Sequence, residues 1–316
     1  MKVLLTGATG FIGQHIFKAI DKKFATAVLG RNKPNDYLGE LIEYDLKNMP
    51  DEGLNLQGID VVIHSAARAH VMHDVSLDPL AEYRLINTEA TLTLAKSAAE
   101  SGVKRFIFIS SIKVNGESTS EKKPFTSSDQ PCTSDHYGQS KLEAENRLKE
   151  LAAKTGLEVV IIRPTLVYGL GVKANFASLM KLVSRGMPLP FGCVTQNKRS
   201  LVSINNLVDL IVTCIDHPKA ANQVFLVSDD HDVSTSEMVR EMAIALGKRT
   251  WQLPVPIWCY KLIGKLFSNS DVVERLTGSL QVDISHTKET LGWKPPQTLQ
   301  EGFKQTAQAF LQAKNK

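Results

Sequence analysis

A short apolar run, Val3 to Leu5, gives way to three glycines spaced three apart, Gly7, Gly10 and Gly13, interleaved with the helical pattern Phe11, Ile12, Ile16 and Ile20. No other stretch narrows the fold as far. A strand that ends in glycines and turns directly into a helix lets the backbone approach a ligand closely, and the helix N-terminus offers free N–H groups and a positive dipole end. That is a cradle for the pyrophosphate of a dinucleotide. The spacing departs from GxGxxG, and a purely structural glycine turn is the alternative, so the rest of the chain has to decide.

Downstream of Ile20 the chain keeps alternating between strand and helix patterns. Ala25 to Leu29, Leu41 to Tyr44, Val61 to His64 and Arg105 to Ser110 read as strands, and Pro79 to Glu100 reads as a long helical segment. Such alternation implies an α/β fold with a doubly wound parallel Rossmann sheet, whose ligands sit beyond the carboxyl ends of the strands. Ser65, Ala66 and Ala67 lie past one such end, and Ser110 and Ser111 past another. Beyond Arg163 the alternation loosens into loops marked by Pro164, Gly169, Gly171, Pro188, Pro190 and Gly192, around a helical run from Phe176 to Arg185. The 316 residues are enough for two domains. We expect a dinucleotide-binding domain over 1–165, rejoined by 201–228, and a smaller, mostly helical and discontinuous substrate domain over 166–316. Within 201–228, Leu201 to Ile204, the helix through Asp209 to Asp216 and the strand Gln223 to Val227 are expected to return to the large sheet. Further helices are expected near Ser236 to Leu246 and Ile257 to Phe267. In the second, Trp258, Leu262, Ile263 and Leu266 recur at helical spacing, which predicts a packing stripe.

Composition excludes several classes. A net charge of +4 is mild and its basic residues are spread, so no nucleic-acid partner is expected. Cys132, Cys193, Cys214 and Cys259 are too far apart for a zinc site or a disulfide framework and read as reduced cytosolic thiols. The N-terminus reads as a strand rather than a signal peptide, and no apolar run approaches the ~20 residues of a membrane span. A cytoplasmic chain is expected. His70 and His73 read as loop or surface histidines, and no metal is expected.

Chemistry enters at Tyr137 and Lys141. Four residues apart on a helix, a phenol and an ammonium share a face and can act on one substrate atom. A neighbouring cation favours the phenolate, so Lys141 is expected to lower the Tyr137 pKa and make the pair a general acid/base. At the end of the second strand, where an acidic residue would bind a ribose 2′-hydroxyl, stand Gly30 and Arg31. A guanidinium there favours NADP over NAD, because it pairs with a 2′-phosphate. NAD is the alternative.

TGATGFIG, the SAA after a strand, SSIKVNG, YGQSK, RPTLVYG, KRSLVSINNLVD and ETLGWKP stand in the order found in the extended short-chain dehydrogenase/reductases, and the chain resembles their nucleotide-sugar epimerases and reductases along nearly its whole length. The resemblance implies that Ser111, Tyr137 and Lys141 are catalytic, with Tyr137 the acid/base and Lys141 also holding the nicotinamide ribose. It implies further cofactor contacts at Gly7, Thr9, Gly10, Phe11, Ile12, Gly13, Arg31, Asp45, Leu46, Ala66, Ala67 and Pro164, and support of the site by Asn87. For a UDP-sugar substrate the expected contacts are Lys113, Asn175, Arg199 and Arg275, the two arginines as candidate clamps on the diphosphate because guanidinium fits phosphate geometry, with the family pattern supporting Arg199 more than Arg275. Where the family pattern SSxxVYG has tyrosine, this chain has Asn115. HSAARAHVMH and SSIKVNGE look most like bacterial surface-polysaccharide enzymes. The expected activity is therefore NADPH-dependent reduction of a UDP-4-keto-6-deoxy-N-acetylhexosamine. The alternatives are a UDP-glucose or UDP-N-acetylglucosamine 4-epimerase with retained NAD and, more remotely, a non-catalytic dinucleotide-sensing protein. A homodimer is a possible assembly.

Overall fold

The computed structural model describes residues 1–35, 37–48, 53–69, 78–120, 122–172, 174–266 and 270–314. Strands β1 (Lys2–Thr6), β2 (Ala25–Gly30), β3 (Glu40–Glu43), β4 (Val61–His64), β5 (Arg105–Ile109), β6 (Glu158–Pro164) and a late strand, Val224–Val227, form a seven-stranded sheet in the order β3-β2-β1-β4-β5-β6 followed by the late strand. All its pairings are parallel. The order reverses between β1 and β4, which is the switch point where such sheets bind ligands.

β4 and β5 are buried along their whole length, as a sheet covered on both faces requires. Alternation then sorts side chains to the two faces. Val3, Leu5, Ile63 and Ile107 pack with Ile16 and Ile20 of α1 (Phe11–Ile20). Leu4, Val62, Phe106 and Phe108 pack on the other side with Leu92 and Ala95 of a helix covering Ala90–Glu100 and with Leu148 of one covering His136–Thr155. The expected helix from Pro79 to Glu100 is interrupted: α2 (Pro79–Arg84) passes through a π turn at Leu85–Glu89 before α3 (Ala90–Glu100) begins. α4 (His136–Thr155) is capped by the Asp135 carboxylate, which accepts the Gly138 N–H, and ends at Gly156 with φ 77°.

After β6 come β7 (Leu166–Tyr168), α5 (Ala174–Ser184), β8 (Arg199–Ser203), α6 (Ile204–Asp216), β9 (Val224–Val227, the late strand), β10 (Asp232–Val233), α7 (Thr235–Ala245), α8 (Ile257–Leu266), α9 (Ser270–Thr277), α10 (Ser285–Leu291) and α11 (Leu299–Lys314). The expectation that Leu201 to Ile204 returns to the large sheet is corrected by the pairing. β8 pairs with β7 and β10 in a separate three-stranded sheet, because the edge of β6 is taken by β9, from Ile161 opposite Val224 to Pro164 opposite Val227. α6 does come back, its Leu207 and Ile211 joining the cluster that holds α1. A third cluster gathers Tyr168, Phe176, Leu201, Met242 and Phe303, with the Tyr168 and Phe303 rings edge-on at 4.9 Å. The packing stripe expected on α8 is also corrected. Trp258, Leu262 and Leu266 are 66%, 52% and 71% exposed, and the Ile263 side chain lies outside the described residues. Periodicity locates an apolar face without saying what covers it.

Candidate active site

The loops after β1 and β4 meet at the switch point. Gly7 has φ 71°, and a Cβ there would lie 2.7 Å from the backbone nitrogen of Ala66. One at Gly13 would lie 1.9 Å from the Gly7 carbonyl oxygen. Only glycine fits either position without moving backbone. Gly10 donates its N–H to the Gly7 carbonyl at 2.9 Å and caps α1 without any side-chain hydrogen bond. Early N–H groups of α1 are therefore left to face a ligand, an arrangement that fits a dinucleotide pyrophosphate. Thr9 is exposed on this turn, Phe11 and Ile12 are half-buried on the first turn of α1, and Ala66 and Ala67 border it. Arg31 is exposed just past β2, and Asp45 and Leu46 come after β3, with the Asp45 carboxylate accepting the Lys47 N–H at 3.1 Å. Pro164 is buried at the end of β6.

Ser111 ends the loop after β5, and Tyr137 and Lys141 project from successive turns of α4. The structure brings the three together: the Ser111 hydroxyl lies near enough to the Tyr137 phenol to stabilise its phenolate form, and the Lys141 ammonium donates to the Ile109 carbonyl at 2.9 Å and sits 4.4 Å from the centre of the Phe108 ring. The expected electrostatics are reversed. Burial pushes the phenol up to about 12, with the Asp135 carboxylate adding to the rise and Ser111 opposing it. Burial likewise pushes Lys141 down to about 7, against the pull of Glu145. Desolvation disfavours both charged forms, so it dominates over the attraction of ammonium for phenolate. What this arrangement can do is hold a proton on the phenol beside a hydroxyl able to orient a substrate oxygen.

Below these groups lies a buried charged network that sequence reasoning missed. Glu145, one turn beyond Lys141 on α4, accepts from Arg163 at 3.0 and 2.5 Å and from the Ser110 hydroxyl at 2.5 Å. Arg163 also donates to the Asn115 side-chain oxygen at 2.9 Å, and Asn115 donates to the Thr126 carbonyl at 2.9 Å. Asn115, standing where the family pattern has tyrosine, thus completes the solvation of a buried guanidinium. The available signal was spacing: Tyr137, Lys141 and Glu145 are successive fourth residues of one helix face.

A second network runs from the glycine loop to Asn87. The Ala66 N–H donates to the Thr6 hydroxyl at 3.2 Å, Thr6 lies 2.8 Å from His64 Nδ1, His64 Nε2 lies 3.0 Å from the Thr91 hydroxyl, and Thr91 donates to the Asn87 carbonyl at 2.8 Å. Because Thr91 spends its one proton on that carbonyl, it must accept from His64 Nε2–H. His64 is then neutral with Nδ1 as acceptor, and burial holds its pKa down to about 3. The side chain of Asn87 is buried rather than on a helix surface, and donates to the Ser140 hydroxyl at 3.0 Å.

The expected substrate residues are dispersed. Lys113 is engaged by Asp135 and by Glu117, the latter at 3.2 Å, which ties it to the cap of α4. Arg199 donates to the Arg275 carbonyl at 2.7 Å, and its guanidinium pKa is lowered by burial and by the nearby Arg275 charge, so two cations share one region. The Asn175 side chain and both His70 and His73 lie outside the described residues. Among the described residues no group of three His, Cys, Asp or Glu could hold a metal, and no helix is long and apolar enough to cross a membrane. A cavity of about 500 Å³ beside Asn115, Phe125 and Cys132 is not lined by Ser111, Tyr137 or Lys141.

Known proteins place this geometry in a family. Residues 3–228 match the NAD dependent epimerase/dehydratase family. The chain is 67% identical to a UDP-glucose 4-epimerase of Vibrio cholerae over 99% of this chain and 97% of that one. It is 28% identical to the N-acetyl-alpha-D-glucosaminyl-diphospho-ditrans,octacis-undecaprenol 4-epimerase of Escherichia coli O157:H7, over 99% and 96%. Among solved structures, the UDP-glucose 4-epimerase of Thermotoga maritima with UDP-glucose matches with a TM-score of 0.78 over 99% of both chains at 22% identity, a likeness of fold. The parallel sheet with its switch point, the glycine turn and the matched span agree, and the chain belongs to the NAD dependent epimerase/dehydratase family, whose enzymes work with a nicotinamide dinucleotide.

Proposed function

We propose that this chain is a 4-epimerase of UDP-hexoses that keeps its dinucleotide, as NAD, through the cycle. The observation that carries a catalytic reading is the Ser111 hydroxyl set against the Tyr137 phenol above the buried Lys141. The choice of epimerisation over the reduction expected from sequence rests on the two-thirds identity to the Vibrio cholerae relative. The sequence argument for reduction leaned on Gly30 with Arg31, an exposed side chain at a strand end, and on the likeness of HSAARAHVMH and SSIKVNGE to surface-polysaccharide enzymes.

A bound nicotinamide supplies a reversible hydride acceptor and donor. The chain's own part is proton transfer. Tyr137 must first be in its phenolate form, which a cationic nicotinamide beside it would favour; as phenolate it takes the proton of the sugar C4 hydroxyl as the carbonyl forms, and as phenol it returns that proton when the hydroxyl is regenerated on the other face, while Ser111 holds that oxygen. Lys141 holds the ribose from the floor of the site, and Arg199 with Arg275 receives the diphosphate. The name of the Escherichia coli relative puts its sugar on a polyprenyl diphosphate, a carrier the same clamp would accept. We retain the nucleotide carrier because the Vibrio cholerae relative is more than twice as identical.

A 4-ketoreductase using NADPH is the second reading. It is favoured by Arg31 beside Gly30 and by a phenol held in its protonated, donating form. Purified protein incubated with UDP-glucose, UDP-galactose or UDP-N-acetylglucosamine, without added cofactor, separates the two. Interconversion of gluco and galacto epimers, with NAD released on denaturation, is the expected result. No interconversion, with stoichiometric NADPH consumption on a UDP-4-keto sugar, would replace epimerase by reductase.

A further inference from the structure

The apolar residues left on the surface are concentrated in one stretch. Between Lys248 and Leu266, Trp251, Leu253, Trp258, Leu262 and Leu266 are all at least half exposed, from 51% to 71%. On α8, Trp258, Leu262 and Leu266 stand four residues apart and so form a single stripe. The opposite side of the helix is the one that packs: Gly264 is buried so close to α9 that a Cβ would lie 2.7 Å from a Val273 methyl, and Tyr260 joins the third core cluster. Gln252 points inward, donating to the Ser236 carbonyl at 2.8 Å, which by strand alternation turns Trp251 and Leu253 outward. The exposure is thus a property of how the stretch is anchored.

Its charge is equally one-sided. From Lys248 to Leu266 there are four basic residues, Lys248, Arg249, Lys261 and Lys265, all exposed, and no Asp or Glu. Lys261 and Lys265 flank the apolar stripe on the same outward arc of the helix, and the Arg249 guanidinium lies 5.2 Å from the centre of the Trp251 ring. Among the described side chains, the exposed carboxylate nearest in sequence is Glu274 on α9, the helix packed behind. Large exposed apolar patches on a soluble fold mark interaction sites. Tryptophan with leucine beside lysine is the composition that settles at the boundary of headgroups and acyl chains.

We propose that α8 and the stretch leading into it dock this protein on an anionic phospholipid surface, lying in the interface rather than spanning it. A second copy of the chain fits less well. A two-fold contact through this face would set Lys261 and Lys265 of one protomer against the same lysines of its partner, with no carboxylate in the stretch to answer them. An anionic bilayer answers both features at once, since headgroup charge pairs with the basic residues and the acyl boundary receives the indole and leucine side chains. The proposal holds for either carrier of the sugar, because it concerns where the enzyme sits and not what it turns over.

The test is flotation of the full-length protein with vesicles of phosphatidylcholine alone and of phosphatidylcholine with phosphatidylglycerol. Parent protein should float with the anionic vesicles, less so in high salt, and stay behind with the neutral ones. Trp258→Ser, Leu262→Ser and Leu266→Ser combined should reduce binding to background. Lys261→Glu with Lys265→Glu should lower partitioning by roughly 30-fold or more, taking about a factor of five for each lysine near an anionic surface. Both variants should keep the circular dichroism and epimer-interconverting activity of the parent on soluble UDP-sugars, because the altered side chains are exposed and outside the crevice. Failure of the parent to bind anionic vesicles, or equal binding to both vesicle types, would overturn the proposal. So would sedimentation that shows a dimer dissociated by the apolar triple variant.

Discussion

The floor of the crevice and the outer face of α8 depart from the ordinary partition of a folded chain in opposite directions. Beneath Tyr137, charges are buried: Glu145 is 0%, Lys141 1% and Arg163 2% exposed. On α8, large apolar side chains are exposed. Between them the molecule is conventional, with β4 and β5 apolar and enclosed. Both departures are costly in isolation, the first because an ion loses water and the second because hydrocarbon keeps it. The first cost is offset inside the protein, where each group of the floor has a partner within hydrogen-bonding distance. The second is offset only by something outside it. That contrast separates a site built to be rigid from a surface built to be covered.

The largest effect should come from breaking the floor. Glu145→Leu leaves the Arg163 guanidinium buried with Asn115 as its remaining side-chain acceptor, and should cost about 3–5 kcal/mol of stability by urea unfolding. Pairing it with Arg163→Met removes both charges and should recover most of that loss. If the double variant is as unstable as the single, the pair is not what the site depends on. Next in size, Tyr137→Phe should lower epimer interconversion by at least ~100-fold while dinucleotide binding stays near that of the parent. Near-normal turnover would remove Tyr137 from the acid/base role.

Titration probes the same floor more gently. Lys141 has its pKa pushed from 10.5 down to about 7 in the fold. Between those values the unfolded chain carries more protons on this group than the native chain, so this lysine makes stability rise with pH across that window, and below about 7 the cost of burying its charge is fully present. Unfolding free energies at about pH 7 and about pH 9 should therefore show a positive slope that Lys141→Met flattens. An unchanged slope in the variant would assign it to other groups. Tyr137, raised to about 12, works in the opposite sense but only above its ordinary value near 10, outside most of the window.

The same contrast decides how much was legible in the sequence. The strands at Val3, Ala25, Val61 and Arg105 announced themselves because a parallel sheet buries continuous apolar runs, and the glycine turn because a Cβ has nowhere to go at Gly7 and Gly13. Ser111, Tyr137 and Lys141 were legible by spacing and family resemblance, and the fold does bring them together. The electrostatics were not: the sign of the shift at Tyr137 is set by how deeply the phenol itself is enclosed and by the Asp135 carboxylate nearby, neither of which the spacing of Tyr137 and Lys141 encodes. β8 was misassigned because strand propensity does not say which edge is free. α8 was misread because a helical stripe looks the same whether another element or solvent lies against it.

The smallest predicted effect is the sharpest form of the comparison, since it sets two tryptophans against each other. Trp293 is 6% exposed in the core cluster and its indole N–H donates to the Asp209 carboxylate at 2.7 Å. Trp258 is 66% exposed on α8. Trp293→Ser removes buried apolar surface and opens a cavity, and should cost on the order of 3–5 kcal/mol. Trp258→Ser removes a side chain whose contacts with the rest of the chain are few, and should change the unfolding free energy by no more than about 0.5 kcal/mol. Measured in water without lipid, equal losses at the two positions would mean that α8 packs against the body of the protein in solution. A negligible loss at Trp258 leaves its indole without an intramolecular role large enough to account for its place on the surface, and makes binding outside the chain the remaining physical reason for a tryptophan there.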